Sequence, residues 1–184
     1  MTDRNRVPTI VVLLMFGIII FSGSPNAAAQ TRPPVAPKSL LAELEKDDRD
    51  CVVNNGGLPK NVRAESIELT RHGEQMLVRG SGVCLCGAQN CGFWIYQKKG
   101  NKTELLLKGA GAIKVSAGRH FSKGFRDVIS VSHASAIETI IRTYRYDGSR
   151  YQLRKCVSRG FFDDSGKQTR APVERPCEEK PPRQ

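Results

Sequence analysis

From Val62 onward the apolar residues recur with a period close to two, and turn residues interrupt them every few positions. The candidate strands are 62–69, 75–79, 93–98, 104–108, 112–116, 127–133, 137–146 and 151–157. Gly, Asn, Asp or Ser separates each from the next. Lys99-Gly100-Asn101-Lys102 and Asp147-Gly148-Ser149-Arg150 read as hairpin turns, and Gly148 suits a positive φ. The glycine-rich pieces 80–82 and 109–111 read as strand-to-strand turns. No gap has room for the crossover helix that parallel neighbours need. The expected fold is therefore mainly β, a small antiparallel meander sheet or sandwich. One short N-terminal helix precedes it: Ser39 stands at its cap, and Leu40, Leu41 and Leu44 share one face through Asp48. Asn54-Asn55-Gly56-Gly57 then marks a turn.

The two ends differ from this body. Arg4 and Arg6 precede an apolar run from Ile10 to Phe21, and Asn26-Ala27-Ala28-Ala29-Gln30 follows. Basic, apolar and small-residue regions in that order make a secretory signal peptide, with cleavage expected after Ala29. The apolar run is shorter than the roughly 20 residues of a membrane-spanning helix, so no stable span is expected after cleavage. The organisation expected is a signal peptide over 1–29, a Pro-rich linker over 30–38, an exported β-domain over 39–158 and a flexible basic, Pro-rich tail over 159–184.

Cleavage would leave 27 Lys and Arg against 17 Asp and Glu, a net charge near +10. Such a surface attracts polyanions, and in a periplasmic or extracellular setting these are anionic envelope polymers; nucleic acid is not expected as the partner. A protein partner fits equally.

The strings Cys86-Gly87-Ala88-Gln89-Asn90-Cys91, Gly92-Phe93-Trp94-Ile95-Tyr96, Leu105-Leu106-Leu107, Gly124-Phe125-Arg126-Asp127-Val128 and Tyr144-Arg145-Tyr146-Asp147-Gly148-Ser149-Arg150-Tyr151, with Cys156 after them, come in a set order. Together they resemble small secreted bacterial domains related to single FG-GAP/VCBS-type β-repeats, over about residues 65–157. The resemblance implies a fold more than an activity. Such domains often carry a D-x-N-x-D-G calcium loop, where this chain has Glu68-Leu69-Thr70-Arg71-His72-Gly73. Ca²⁺ needs several hard oxygen donors. With His72 and Arg71 in their place, the loop is expected to keep only its turn.

Cys51, Cys84, Cys86, Cys91, Cys156 and Cys177 are even in number and lie in an exported chain, which points to three disulfides; six cysteines allow fifteen pairings. The short loop between Cys86 and Cys91 is the first candidate, and the resembling domains have a similar local pair. Cys84 shares a strand face with Cys86 and is assigned to Cys51. Cys156 with Cys177 would then clip the tail. A zinc site or redox dithiol in these residues fits export poorly, and no Cys-x-x-Cys is present.

No catalytic signature stands out. His72, His120 and His133 are isolated, no Gly-x-Ser-x-Gly elbow occurs, and Asp47, Asp48 and Asp50 crowd a helix end. No metal or cofactor is expected. Aromatic and basic residues do cluster: Trp94, Tyr96 and Lys98 in one strand group, Arg142, Tyr144 and Arg145 in another. A basic–aromatic strip of these six is the candidate ligand site. The expected role is a non-enzymatic exported binding or structural protein. The alternatives are a small envelope hydrolase, which needs a histidine beside a carboxylate or hydroxyl, and a periplasmic inhibitor of a secreted enzyme such as lysozyme, which needs an acidic patch.

Overall fold

A computed structural model describes residues 33–87, 89–163 and 165–177. The expected signal peptide lies outside the described residues, as do the first residues of the linker and the last of the tail. Three short helices come first: α1 (Leu40–Glu43), α2 (Lys46–Asn54) and α3 (Leu58–Asn61). The single helix expected through Asp48 is thus broken at Leu44, whose extended backbone ends α1. The Ser39 hydroxyl makes no cap, and Arg49 donates to the Leu44 carbonyl at 3.0 Å across the break. So short a helix has little stability of its own. Burying both Leu40 and Leu44 decides its path. Left-handed Gly56 and Gly57 (φ 91° and 73°) end α2, and the buried Asn61 side chain donates to the carbonyls of Asn55 and Gly57 to fix that turn.

Among the described residues ten strands form two antiparallel sheets, as the strand spacing predicts. The first contains β1 (Val62–Ser66), β2 (Gln75–Gly80), β3 (Cys86–Gly87), β4 (Asn90–Lys99) and β5 (Lys102–Ala112). β4 is its centre: β5 covers one edge along the whole strand, while β2 and β3 share the other. The second is a plain meander of β6 (Lys114–Ser122), β7 (Phe125–His133), β8 (Glu138–Tyr146), β9 (Tyr151–Phe162) and β10 (Gln168–Pro176). The turns at Gly100 and Gly148 fall where the sequence puts them, both with positive φ.

The Gly109–Gly111 turn does not form; those residues lie inside β5. The chain instead changes sheets at Ile113, whose N–H donates to Val131 in the second sheet at 2.8 Å. Gly109 is needed for room. It pairs with Phe93, and a Cβ there would lie 1.9 Å from the Phe93 ring.

The first sheet is buried on both faces. Leu77, Phe93 and Ile95 point into a core shared with Val128, Tyr144, Tyr146 and Tyr151 of the second sheet. Val78, Trp94 and Tyr96 point the other way, onto Leu40, Leu44, Val52 and Leu58 of the helical layer. The T-shaped pair of Phe93 and Tyr144, 6.4 Å between centroids, joins the sheets. Such pairs add about 0.5–1.5 kcal/mol beyond their area.

Three disulfides join Cys51 to Cys84, Cys86 to Cys91 and Cys156 to Cys177, the three pairs assigned from the sequence. The first ties α2 to the segment before β3. The last fixes the end of β10. The expected flexible tail is corrected here: β9 runs on to Phe162, and 168–176 pair back along it as β10. The apolar pattern does stop, since β10 is mostly exposed. Backbone pairing and the disulfide hold it instead of burial.

Candidate functional site

The proposed strip is not a surface. Trp94, Tyr96 and Tyr144 are buried core residues, each under 7 % exposed. Strand alternation left one face of β4 for the strip, and the helical layer covers that face. Burial also pushes the Tyr96 phenol well above its ordinary pKa, with Glu43 adding to the effect. Lys98 is exposed and pairs with Glu74 at 3.2 Å. Arg142 and Arg145 are three apart on β8 and so lie on opposite faces. Arg142 donates to the Ser132 hydroxyl at 3.1 Å, while Arg145 grips Asp127 with two bonds of 3.3 and 3.2 Å. The six residues belong to two sheets and do not converge.

One histidine does meet a carboxylate. His120 Nδ1 lies 3.4 Å from Asp127 Oδ2, the oxygen that Arg145 also holds. Among the described residues no serine, threonine or cysteine hydrogen-bonds to a histidine ring, so this pair has no nucleophile to activate. No group of three His, Cys, Asp or Glu among the described residues is placed to hold a metal ion.

What the second sheet does assemble is charge. Residues 113–177 carry 13 Lys and Arg against 6 Asp and Glu, whereas 33–112 carry 11 against 9. The described carboxylates of the second sheet are all engaged. Asp127 holds Arg145, Glu174 holds Arg159 and Glu138 accepts from Ser158. Asp147 accepts the N–H groups of Arg150 and Ser149, which hold its carboxyl well below the usual range. Asp163 is lowered first by the Ser165 hydroxyl and then by the Lys167 N–H. Arg159 lowers Glu174.

Against this, Arg150, Arg154, Lys155 and Arg170 are exposed and make no ion pair among the described residues. Arg150 sits on the β8–β9 turn, Arg154 and Lys155 on the stretch of β9 that runs beside β8, and Arg170 on β10, a basic ribbon along β9 and β10. Four successive residues of β9, Gln152 to Lys155, are exposed where β10 no longer pairs with β9 and a register shift against β8 leaves Arg154 out of the ladder. Sequence reasoning missed these cations because it looked for basic residues beside aromatic strands; only Arg170 lies beyond the domain end it set at residue 158. The run Arg150, Arg154, Lys155, Arg159 was the available signal.

The opposite pole is acidic. Glu45, Asp47, Asp48 and Asp50 are exposed around α2, with Lys46 pairing Asp50 and Lys108 lying 3.7 Å from Glu45.

Compared with family models, with curated proteins and with solved structures, the chain finds no match.

Proposed function

We propose that the protein is an exported, non-enzymatic binding module that holds an anionic envelope polymer on the β9–β10 ribbon. The observation that carries this reading is the one-sided use of charge in the second sheet. Its described carboxylates are occupied, while Arg150, Arg154, Lys155 and Arg170 are exposed without ion pairs. Unpaired cations on a ribbon attract an extended polyanion without demanding a deep pocket. Three disulfides suit an oxidising compartment. Among the described residues no helix is long and apolar enough to cross a membrane. The likeness of 65–157 to FG-GAP/VCBS-type repeats belongs to this proposal and adds no activity to it.

The test is retention of the oxidised protein on anionic polymer at rising salt. Retention falls as salt screens the ribbon, and the combined variant Arg150→Gln, Arg154→Gln, Lys155→Gln, Arg170→Gln loses it. Retention indifferent to both salt and the four substitutions overturns the reading.

The acidic pole around α2 supports a second reading, an inhibitor of a basic secreted enzyme. Complementary charge would steer such an enzyme to Glu45, Asp47, Asp48 and Asp50. Lysozyme activity unaffected by excess protein at low salt disposes of it for that enzyme.

A further inference from the structure

The loop after β1 and the β6–β7 hairpin enclose a cleft of about 420 Å³, within the size range of small-ligand sites. Its walls include Glu68, Arg71, His72 and Glu74 from the loop, with Phe121 and Arg126 from the hairpin. The loop is held in place from below. The Arg126 N–H donates to the Leu69 carbonyl at 2.7 Å. Buried Gln75 accepts from the Leu69 N–H at 3.3 Å and donates to the Thr70 hydroxyl at 3.0 Å. A wall fixed in advance loses little freedom when a ligand arrives.

The groups on that wall are poorly matched to one another. Among the described residues the side chains of Glu68, Arg71 and His72 make no hydrogen bond or ion pair, and Glu74 is taken by Lys98. The Arg126 guanidinium stands 5.1 Å from the centre of the Phe121 ring. That ring is 42 % exposed, whereas Phe125 on the same hairpin stacks on Tyr146. The complementary ligand has an apolar face for Phe121, an anionic group for Arg71 and Arg126, and hydroxyl donors for Glu68. Sugar rings combine a C–H face with hydroxyls. Because Glu68 and Glu74 line the same cleft, a monoanionic carboxylate is tolerated better there than a doubly charged phosphate.

We infer that the cleft takes a sugar ring carrying a carboxylate, the unit of an acidic envelope polysaccharide. This rests on the anionic-polymer reading above and names the chemistry of that polymer. Two sources supply it, a uronic acid and an amino sugar with a lactyl ether carboxylate.

The experiment is an amide chemical-shift titration of the oxidised protein with inorganic phosphate and with three disaccharides: one containing glucuronate, one containing N-acetylmuramate, and neutral di-N-acetylchitobiose. At least one acidic probe binds about tenfold or more tighter than the neutral one, moves amides 68–74 and 121–126, and so tells the source. Phe121→Ala and Arg126→Ser each weaken that binding about tenfold, the usual scale for losing one charged or aromatic contact. The four-substitution ribbon variant keeps it within about twofold. Equal affinity for acidic and neutral probes, tighter binding of inorganic phosphate, or indifference to both cleft substitutions overturns the inference. If the ribbon variant still loses the polymer in that case, the cleft assignment alone has failed.

Discussion

The first sheet is covered on both faces and the second on one, and the two spend their residues accordingly. In β4 the consecutive Phe93, Trp94, Ile95 and Tyr96 are all buried, two toward each core. In β9 the consecutive Gln152, Leu153, Arg154 and Lys155 are all exposed. Both strands pair antiparallel, so hydrogen bonding is not what separates them. The difference is what lies above each face. A strand between two layers has no side left for a ligand, while this stretch of β9, beyond the reach of β10 and interrupted by a register shift against β8, leaves four consecutive side chains exposed. An aromatic-rich strand is therefore a poor guide to a binding surface unless the layers above it are known.

The largest effect should come from truncating the doubly covered strand. Trp94→Ala is expected to cost about 3–5 kcal/mol in urea unfolding. Leu153→Ala, at a residue 37 % exposed, should stay within about 0.5 kcal/mol. Equal losses would break the comparison.

The disulfides sharpen it. Removing Cys51–Cys84, with its sequence separation of 33, should cost about 3–4 kcal/mol of global stability by chain entropy. Replacing both Cys156 and Cys177 by Ala should expose the amides of β10 to hydrogen exchange while β4 keeps its protection. Loss of protection throughout β4 would show that the ribbon is as integral as the first sheet.

Gly109→Ala tests the tight packing of β4 against β5. Its Cβ would overlap the Phe93 ring, so a loss of about 1–3 kcal/mol is expected in the same assay.

The smallest effect belongs to the exposed β8–β9 turn. The Asp147 carboxyl is held below its ordinary pKa by the Arg150 and Ser149 N–H groups. The stabilisation is therefore fully present above the unfolded value, about 3.9, and is lost as pH falls below it. The melting difference between the protein and Asp147→Asn should be constant from neutral pH to about 4 and shrink at lower pH. A difference that grows on acidification would reverse the assignment.

Much of the second sheet was legible because β7 and β8 bury alternate residues and Gly124 and Gly148 mark two of its turns. Two places were not. The β5–β6 bend at Ile113 escaped because Gly109 and Gly111 look like turn residues, whereas Gly109 serves to admit a neighbouring ring. β10 escaped because its residues are mostly exposed and carry no apolar rhythm. The strip failed partly for a legible reason: alternation already separates Arg142 from Arg145. Its other failure, the burial of Trp94 and Tyr96, was hidden in the packing.

The sequence by itself determined the antiparallel pairing and the turns at Gly100 and Gly148, because each depends on spacing along a few dozen residues at most, and the three cysteine pairs it suggested among fifteen are those the structure joins. Only the tertiary structure decided which faces are covered. Leu40 and Leu44 lie about fifty residues from Trp94 and Tyr96 in the chain, and no local period records that they meet. The same long-range packing moved the candidate site from the aromatics to the cations, since burial removes the former from solvent and leaves the latter in it.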